Sequence, residues 1–89
     1  MTCDEMLSAL RRRRETLEGW PAEACAPEYD KPGMGKQMKH ARWLLDQTIR
    51  AVEEDVATEG EASWCLGFVE CVLWINGVRT MAEMKEEIS

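Results

Sequence analysis

The chain has 89 residues, of which 31% are charged, and its formal net charge is −6. A chain of this length holds one domain with a thin stability margin, because it buries only roughly 60% of its unfolded surface. The acidic balance disfavours a general nucleic-acid-binding protein, since basic side chains on phosphates supply most of the non-specific affinity.

The four cysteines indicate neither a disulfide framework nor a metal site. Cys3, Cys25, Cys65 and Cys71 include no CxxC pair, and the chain opens without the pattern of a secretory signal. We therefore expect a reducing, cytoplasmic setting. Cys65 and Cys71 are six residues apart, about 240° around a helix, so they cannot bind one metal ion, and we interpret both as core thiols.

The first predicted helix spans residues 3–18. Thr2 and Glu5 have the spacing of a capping box, which satisfies backbone donors at the start of a helix. The predicted buried stripe consists of Met6, Leu7, Leu10 and Leu17, with Arg14 at the remaining turn.

This helix carries a run of four basic residues, Arg11, Arg12, Arg13 and Arg14. Consecutive residues sweep ~300° around a helix, so the run cannot form a single stripe. Two of the arginines have a glutamate four residues later, a spacing that offsets their charge locally. We interpret the run either as a contact for phosphate or an acidic partner, or as a solvated face.

Residues 19–35 form a predicted loop with three prolines, three glycines and no hydrophobic period. Loops longer than about 12–15 residues in compact domains are usually functional or disordered. Trp20 and Tyr29 each have apolar area to bury. We therefore expect an ordered loop that contributes to a binding surface.

The second predicted helix spans residues 36–59 and stops at Gly60, because apolar side chains recur every three or four residues up to Val56. Its first turns combine positive charge with aromatic character. The residues concerned are Lys36, Lys39, His40, Arg42 and Trp43. This combination suits a phosphate or nucleotide near a helix N-terminus, and it is also typical of an ordinary solvated first turn.

The third predicted helix, residues 61–76, is apolar on almost every face, with Glu70 as the single charge between Ala62 and Gly77. It is too short to cross a membrane, and its short link to the second helix predicts an antiparallel hairpin. Three neighbouring segments are too few to cover it, so we predict a homo-oligomer. The expected interface residues are Trp64, Gly67, Phe68, Cys71 and Trp74. The alternative is a monomer in which the proline-rich loop covers the remaining apolar face.

A short fourth helix, residues 81–88, is predicted from a second capping box formed by Thr80 and Glu83. The predicted fold class is therefore all-α. A single domain over residues 1–89 contains a small antiparallel bundle of three main helices and a short C-terminal helix.

The sequence offers little for catalysis. His40 is the single histidine, and neither Ser8 nor Ser63 lies in a GxSxG motif. No second histidine or cysteine pair completes a metal site. We predict a protein that is not an enzyme and uses neither cofactor nor metal.

The segment LGFVECVLWINGVRT, residues 66–80, follows His40 and Trp43 in the chain. This pattern resembles the C-terminal half of a family of small helical proteins of tailed bacteriophages, which have no established activity. The resemblance covers residues 40–85. The chain departs from it at residues 64–65, which are Trp-Cys in place of Arg-Trp, and at residues 70–71, which are Glu-Cys in place of Gln-Gly.

The resemblance implies a phage or prophage origin and the cytoplasm of a bacterial host. The hypothesis is a non-enzymatic accessory protein that binds a host protein or an antiphage-defence component. Two alternatives use the basic residues. One is a nucleotide or cyclic-dinucleotide binder at a subunit interface, and the other is a nucleic-acid-associated phage protein.

Overall fold

A computed structural model of the chain describes residues 2–25 and 31–88. Its helices are α1 (Cys3–Thr16), α2 (Met34–Glu53), α3 (Glu59–Ile75) and α4 (Met81–Ile88). The main packing contacts join α1, α2 and α3 in all three pairs, and the described ranges contain no strand. The predicted all-α bundle of three main helices is confirmed.

Helix α1 begins at the predicted capping box. The backbone N–H of Glu5 donates to Thr2 Oγ1 at 3.2 Å, and the Thr2 N–H donates to Glu5 Oε1 at 3.4 Å. The helix ends at Thr16, two residues earlier than predicted. Leu17 is its C-cap and is fully buried, so the chain turns there toward the core.

Three residues of the predicted stripe, Met6, Leu10 and Leu17, are buried as predicted, and the buried face of α1 differs from the stripe at Leu7 and Arg14. Ala9 is buried as well, and Arg13 rather than Arg14 occupies the remaining turn. A shift of one residue rotates a side chain by about 100°. Arg14 and Leu7 therefore lie at the edge of the face, where each is half-buried.

Helix α2 starts two residues earlier and ends six residues earlier than predicted. Its end is a Schellman motif, in which the Val56 N–H donates to Ala51 O at 2.9 Å and the Asp55 N–H to Val52 O at 3.1 Å. Asp55 adopts the left-handed conformation with φ of 58°. Val56, predicted on the buried stripe, is consequently 70% exposed.

Helix α3 begins where the prediction placed the end of α2. Thr58 is its N-cap and accepts the Glu61 N–H at 3.1 Å, so Gly60 lies in the first turn of α3 and is not a helix stop. At the other end, Asn76 and Gly77 terminate the helix as predicted. Gly77 has φ of 70°, and the Val78 N–H donates to Leu73 O at 2.9 Å in a second Schellman motif.

Helices α2 and α3 run antiparallel, as predicted. The Asn76 side chain at the end of α3 donates to Gln37 Oε1 at the start of α2, at 2.8 Å. One core lies between the three main helices. It contains Met6, Ala9, Leu10, Leu17, Met38, Ala41, Leu45, Ile49, Ala62, Cys65, Leu66, Val69, Val72 and Leu73.

Thr80 and Glu83 form the expected capping box at the start of α4, with the Glu83 N–H donating to Thr80 Oγ1 at 3.1 Å. Among the described residues, α4 makes no packing contact comparable to those within the bundle. No helix within residues 2–25 and 31–88 combines the length and apolar character needed to cross a membrane.

Candidate interaction surface

Four rings form a continuous ladder across α2 and α3. Trp43 stacks on His40 with ring centroids 5.6 Å apart, and His40 meets Phe68 edge-on at 5.9 Å. Phe68 in turn stacks on Trp64 at 5.6 Å. We call Trp43, His40, Phe68 and Trp64 the aromatic ladder. Each ring contacts the next, so Phe68 supports one face of Trp64 at the outer end.

His40 anchors both the aromatic ladder and the loop that precedes α2. Its side chain is buried, and its Nδ1 accepts the backbone N–H of Cys25 at 3.2 Å. Burial lowers the pKa of the imidazole below its ordinary value of 6.5. The ring is therefore neutral at pH 7, with its proton on Nε2, because an acceptor nitrogen carries no proton. His40 has a structural role and is not an accessible ligand contact.

The described part of the loop lies along α2. The Glu23 N–H donates to Lys39 O at 3.2 Å, and the Lys39 ammonium lies 3.7 Å from the Glu23 carboxylate. Trp20 is half-buried and packs against the core. Residues 20–25 thus lie against α2 and the core, whereas Tyr29, also predicted for the surface, lies outside the described residues.

The predicted phosphate-binding residues do not converge on one point. Lys36 and Lys39 border a small cavity of about 140 Å³ against residues 23–25. Arg42 lies on another side of α2, where it donates to Leu17 O at 3.1 Å and pairs with Asp46 at 3.4 Å. Since His40 is buried and Trp43 stacks on it, the two lysines are the cations of the set that face this cavity.

The four arginines of α1 also diverge. Arg11 pairs with Glu53 at 2.8 Å and Arg14 approaches Asp46 at 4.0 Å. These partners lie on α2, so they are not the glutamates four residues along α1 that the sequence suggested. Arg12 is exposed and donates to Ser8 O at 3.4 Å. Arg13 is buried, so its prediction as a partner-binding residue is wrong.

Arg13 instead connects α1 to α3 inside the bundle. Its Nη2 donates to Glu70 Oε1 at 3.1 Å. The Arg13 side chain is 1% exposed and that of Glu70 is 20% exposed. Glu70, the charge in the middle of the apolar helix, is thus paired with an arginine of the first helix.

One side of α3 remains uncovered. Trp64 is 63% exposed, Trp74 49%, Ile75 68% and Val78 40%. Gly67 and Cys71 are exposed between them, and Phe68 is half-buried. Together these seven residues define the α3 face, in which the six helical positions are spaced three or four apart. It includes all five predicted interface residues and adds Ile75 in the last turn of α3 and Val78, which follows the left-handed Gly77 beyond the end of the helix.

The chemistry available to the cysteines follows their burial. Cys65 is a core thiol, as expected, and burial raises its pKa while a hydrogen bond with Thr48 opposes that shift. Cys71 is exposed on the α3 face, so its prediction as a core thiol is wrong. Within the described residues, no three side chains of His, Cys, Asp or Glu are grouped as metal ligands.

A shallow groove borders the α3 face at its N-terminal end. It measures about 560 Å³ and is lined by Leu44, Thr48, Thr58, Gly60, Glu61 and Trp64.

Comparison of the chain with protein-family models, curated proteins and solved structures gives no significant match.

Proposed function

We propose that this chain is a non-enzymatic accessory protein of a tailed phage that acts through protein–protein contacts, with the α3 face as its principal contact surface. The observation that carries the proposal is the exposure of Trp64, Trp74 and Ile75 on one side of one helix. Scattered exposed apolar residues are ordinary, but a contiguous set marks an interaction site.

Leaving this face in water has a substantial cost. A whole aromatic side chain buries roughly 200 Å², so the two indoles expose about 200 Å² together. At about 25 cal/mol per Å², covering them contributes on the order of 5 kcal/mol gross per chain. Ile75 and Val78 add to this contribution.

The aromatic ladder makes Trp64 a suitable anchor. Interface hot spots are enriched in Trp, and binding is less costly when the side chain is already ordered. Trp64 stacks on Phe68 with an interplanar angle of 18°, and Phe68 rests on the buried His40. The indole therefore loses little rotamer freedom when a partner covers it.

The first partner we propose is a second copy of the chain, giving a homo-oligomer. In that assembly the α3 face is buried, and the exposed Arg12 with Lys36, Lys39 and Trp20 remains outside it. This outer surface is where a host or antiphage-defence protein would bind in the bacterial cytoplasm. Phage origin and target class rest on the sequence resemblance and on no structural observation.

A pair of matched variants tests the contact surface. Ile75 and Val56 are both exposed aliphatic residues, at 68% and 70%, but Val56 lies on the α2–α3 turn and off the α3 face. We expect Ile75→Lys to lower the mass in light scattering to that of one chain, and Val56→Lys to leave the wild-type mass unchanged. Equal masses for the two folded variants, checked by circular dichroism, would contradict the proposal.

A further inference from the structure

We infer that two copies of the chain pair through α3 in antiparallel directions, about a two-fold axis that passes beside Cys71. This inference rests on the proposed self-association through the α3 face and specifies its geometry. A two-fold interface uses the same patch on both subunits, so the patch must be complementary to itself.

The α3 face is symmetric about Cys71. Exchanging each position for the one equally far on the other side of residue 71 maps 67 onto 75 and 68 onto 74. These helical positions therefore meet positions of the same face in an antiparallel pair, and Trp64 meets the segment that follows α3 and contains Val78. Cys71 meets the partner's Cys71.

Side-chain size favours this direction. In the antiparallel pair, Gly67 lies opposite the partner's Ile75, and nothing lies within 4 Å of a Cβ built at Gly67. A large residue thus faces an open position. In a parallel pair Gly67 would face the partner's Gly67 and Trp64 the partner's Trp64, which leaves a gap at one level and crowds the next.

Charge favours the same direction. The first turn of α3 carries Glu59 and Glu61, and Glu54 and Asp55 precede it, whereas Arg79 follows the other end of the helix. A parallel pair would place the two acidic ends side by side, at the cost of like-charge repulsion. An antiparallel pair separates the two acidic ends and places each beside the other end of the partner's helix, where the glutamates of α4 nearly offset Arg79 and Lys85, so the repulsion is lower. It also opposes the two helix dipoles.

The area of the face is consistent with the core of such an interface. Stable interfaces bury about 800 Å² per partner, with an apolar centre and a polar rim. The indoles supply roughly 200 Å² of that centre, and Phe68, Ile75 and Val78 enlarge it. The groove of about 560 Å³ beside Trp64 lies at the edge of this apolar centre. Its polar lining residues, Thr48, Thr58 and Glu61, suit the rim of an interface.

Disulfide mapping tests the pairing with the full chain. In a Cys3→Ser, Cys25→Ser background, Cys71 is the remaining exposed cysteine, because Cys65 is buried. Diamide oxidises two Cys71 thiols to a disulfide and is itself reduced to the hydrazine, taking up their two protons and two electrons. We expect a covalent dimer on a non-reducing gel, and we expect Cys71→Ser to abolish it.

Cys71 would cross-link in either direction, so the direction needs a second position. With Cys71→Ser added, we compare Gly67→Cys alone with Gly67→Cys combined with Ile75→Cys. In the antiparallel pair the two copies of residue 67 are about 12 Å apart along the axis, at 1.5 Å per residue. A disulfide spans only about 4.4–6.8 Å between Cα atoms. We therefore expect the single variant to stay monomeric on the gel and the double variant to cross-link.

The outcomes separate this inference from the proposal on which it rests. Light scattering at the mass of a dimer, with efficient cross-linking of Gly67→Cys alone, would overturn the antiparallel direction and leave self-association intact. A dimer without any Cys71 cross-link would overturn the position of the axis. A single-chain mass with no cross-link in any variant would overturn both the inference and the self-association.

Discussion

The guanidinium of Arg13 donates to the carboxylate of Glu70 across the contact between α1 and α3, at 3.1 Å. Arg13 is 1% exposed and Glu70 20% exposed, so the pair is shielded from water on the arginine side. A buried ion pair adds little net stability as a whole, but removal of one partner leaves a buried charge without compensation.

Arg13→Ala should destabilise the protein by about 2–3 kcal/mol, because it removes a buried side chain together with its ion pair to the partly exposed Glu70. Arg12→Ala is the matched control, because Arg12 is the adjacent residue and is exposed. It should change the free energy of unfolding by less than about 0.5 kcal/mol. Urea denaturation measures both, and similar values for the two variants would contradict the assignment of Arg13 to the core.

The burial of His40 predicts that the free energy of unfolding depends on pH. Burial lowers its pKa from 6.5 in the folded chain, so the unfolded chain takes up the proton at higher pH than the folded one. The contribution of His40 to stability is complete above about pH 6.5. It falls as the pH drops from there through the lowered folded-state pKa.

His40→Asn is the comparison for this effect, because it keeps a side-chain acceptor for the Cys25 N–H and does not titrate. The nearby ion pair between Lys39 and Glu23 is present in both proteins. The stability of the wild type relative to His40→Asn should decrease between pH 7 and pH 5 in urea denaturation. A constant or increasing difference would show that the imidazole is not held in the neutral form.

Two residues, one after α2 and one after α3, adopt the left-handed conformation. Substitution to glycine at the first and from glycine at the second should have opposite effects on the free energy of unfolding. Asp55 has φ of 58° and Gly77 φ of 70°. A side chain in this region costs about 1–2 kcal/mol, less for Asp than for most residues. Asp55→Gly should therefore stabilise by roughly 0.5 kcal/mol, and Gly77→Ala should destabilise by about 1 kcal/mol. Gly19→Ala, at a glycine outside this region, should not destabilise.

Thiol reactivity should follow burial. Cys71 and Cys3 are exposed, whereas Cys65 is buried and its pKa is raised. Because the thiolate is the reactive form, an aromatic disulfide reagent at pH 8 should modify Cys65 only after unfolding. Rapid modification of all four cysteines in the native protein would contradict the packing of α3.

The capping-box spacing occurs at Thr58 with Glu61 as well as at Thr2 and Thr80, but the apolar spacing before Thr58 predicts that the second helix continues through it. The end of α2 was misplaced because Val56 keeps the helical spacing and because Asp55, rather than a glycine, adopts the left-handed conformation. Buried positions in a helix recur at steps of three or four residues, so the sequence pattern alone does not decide whether Arg13 or Arg14 is buried. It was decided by Glu70, which is distant in sequence.

The α3 face was predictable in outline because α3 has more apolar positions than three neighbours can cover. The sequence does not fully determine which of these residues stay exposed. Cysteine as a residue type prefers burial, and this preference is the same at Cys65 and at Cys71. The supposed phosphate site failed to converge for a geometric reason. Arg42 lies about 100° from Trp43 around α2, where it donates to the Leu17 carbonyl and pairs with Asp46 one turn along the same helix.

Self-association through the α3 face is tested most directly by the mass of the wild-type chain in sedimentation equilibrium at micromolar concentration and neutral pH, with quenching of tryptophan fluorescence recorded on the same sample. One chain has a mass of 10.2 kDa. We predict a mass at least twice that value, with Trp64 and Trp74 protected from a soluble quencher. A mass of one chain across the concentration range, with both indoles open to the quencher, would contradict the central claim that a second copy covers the α3 face.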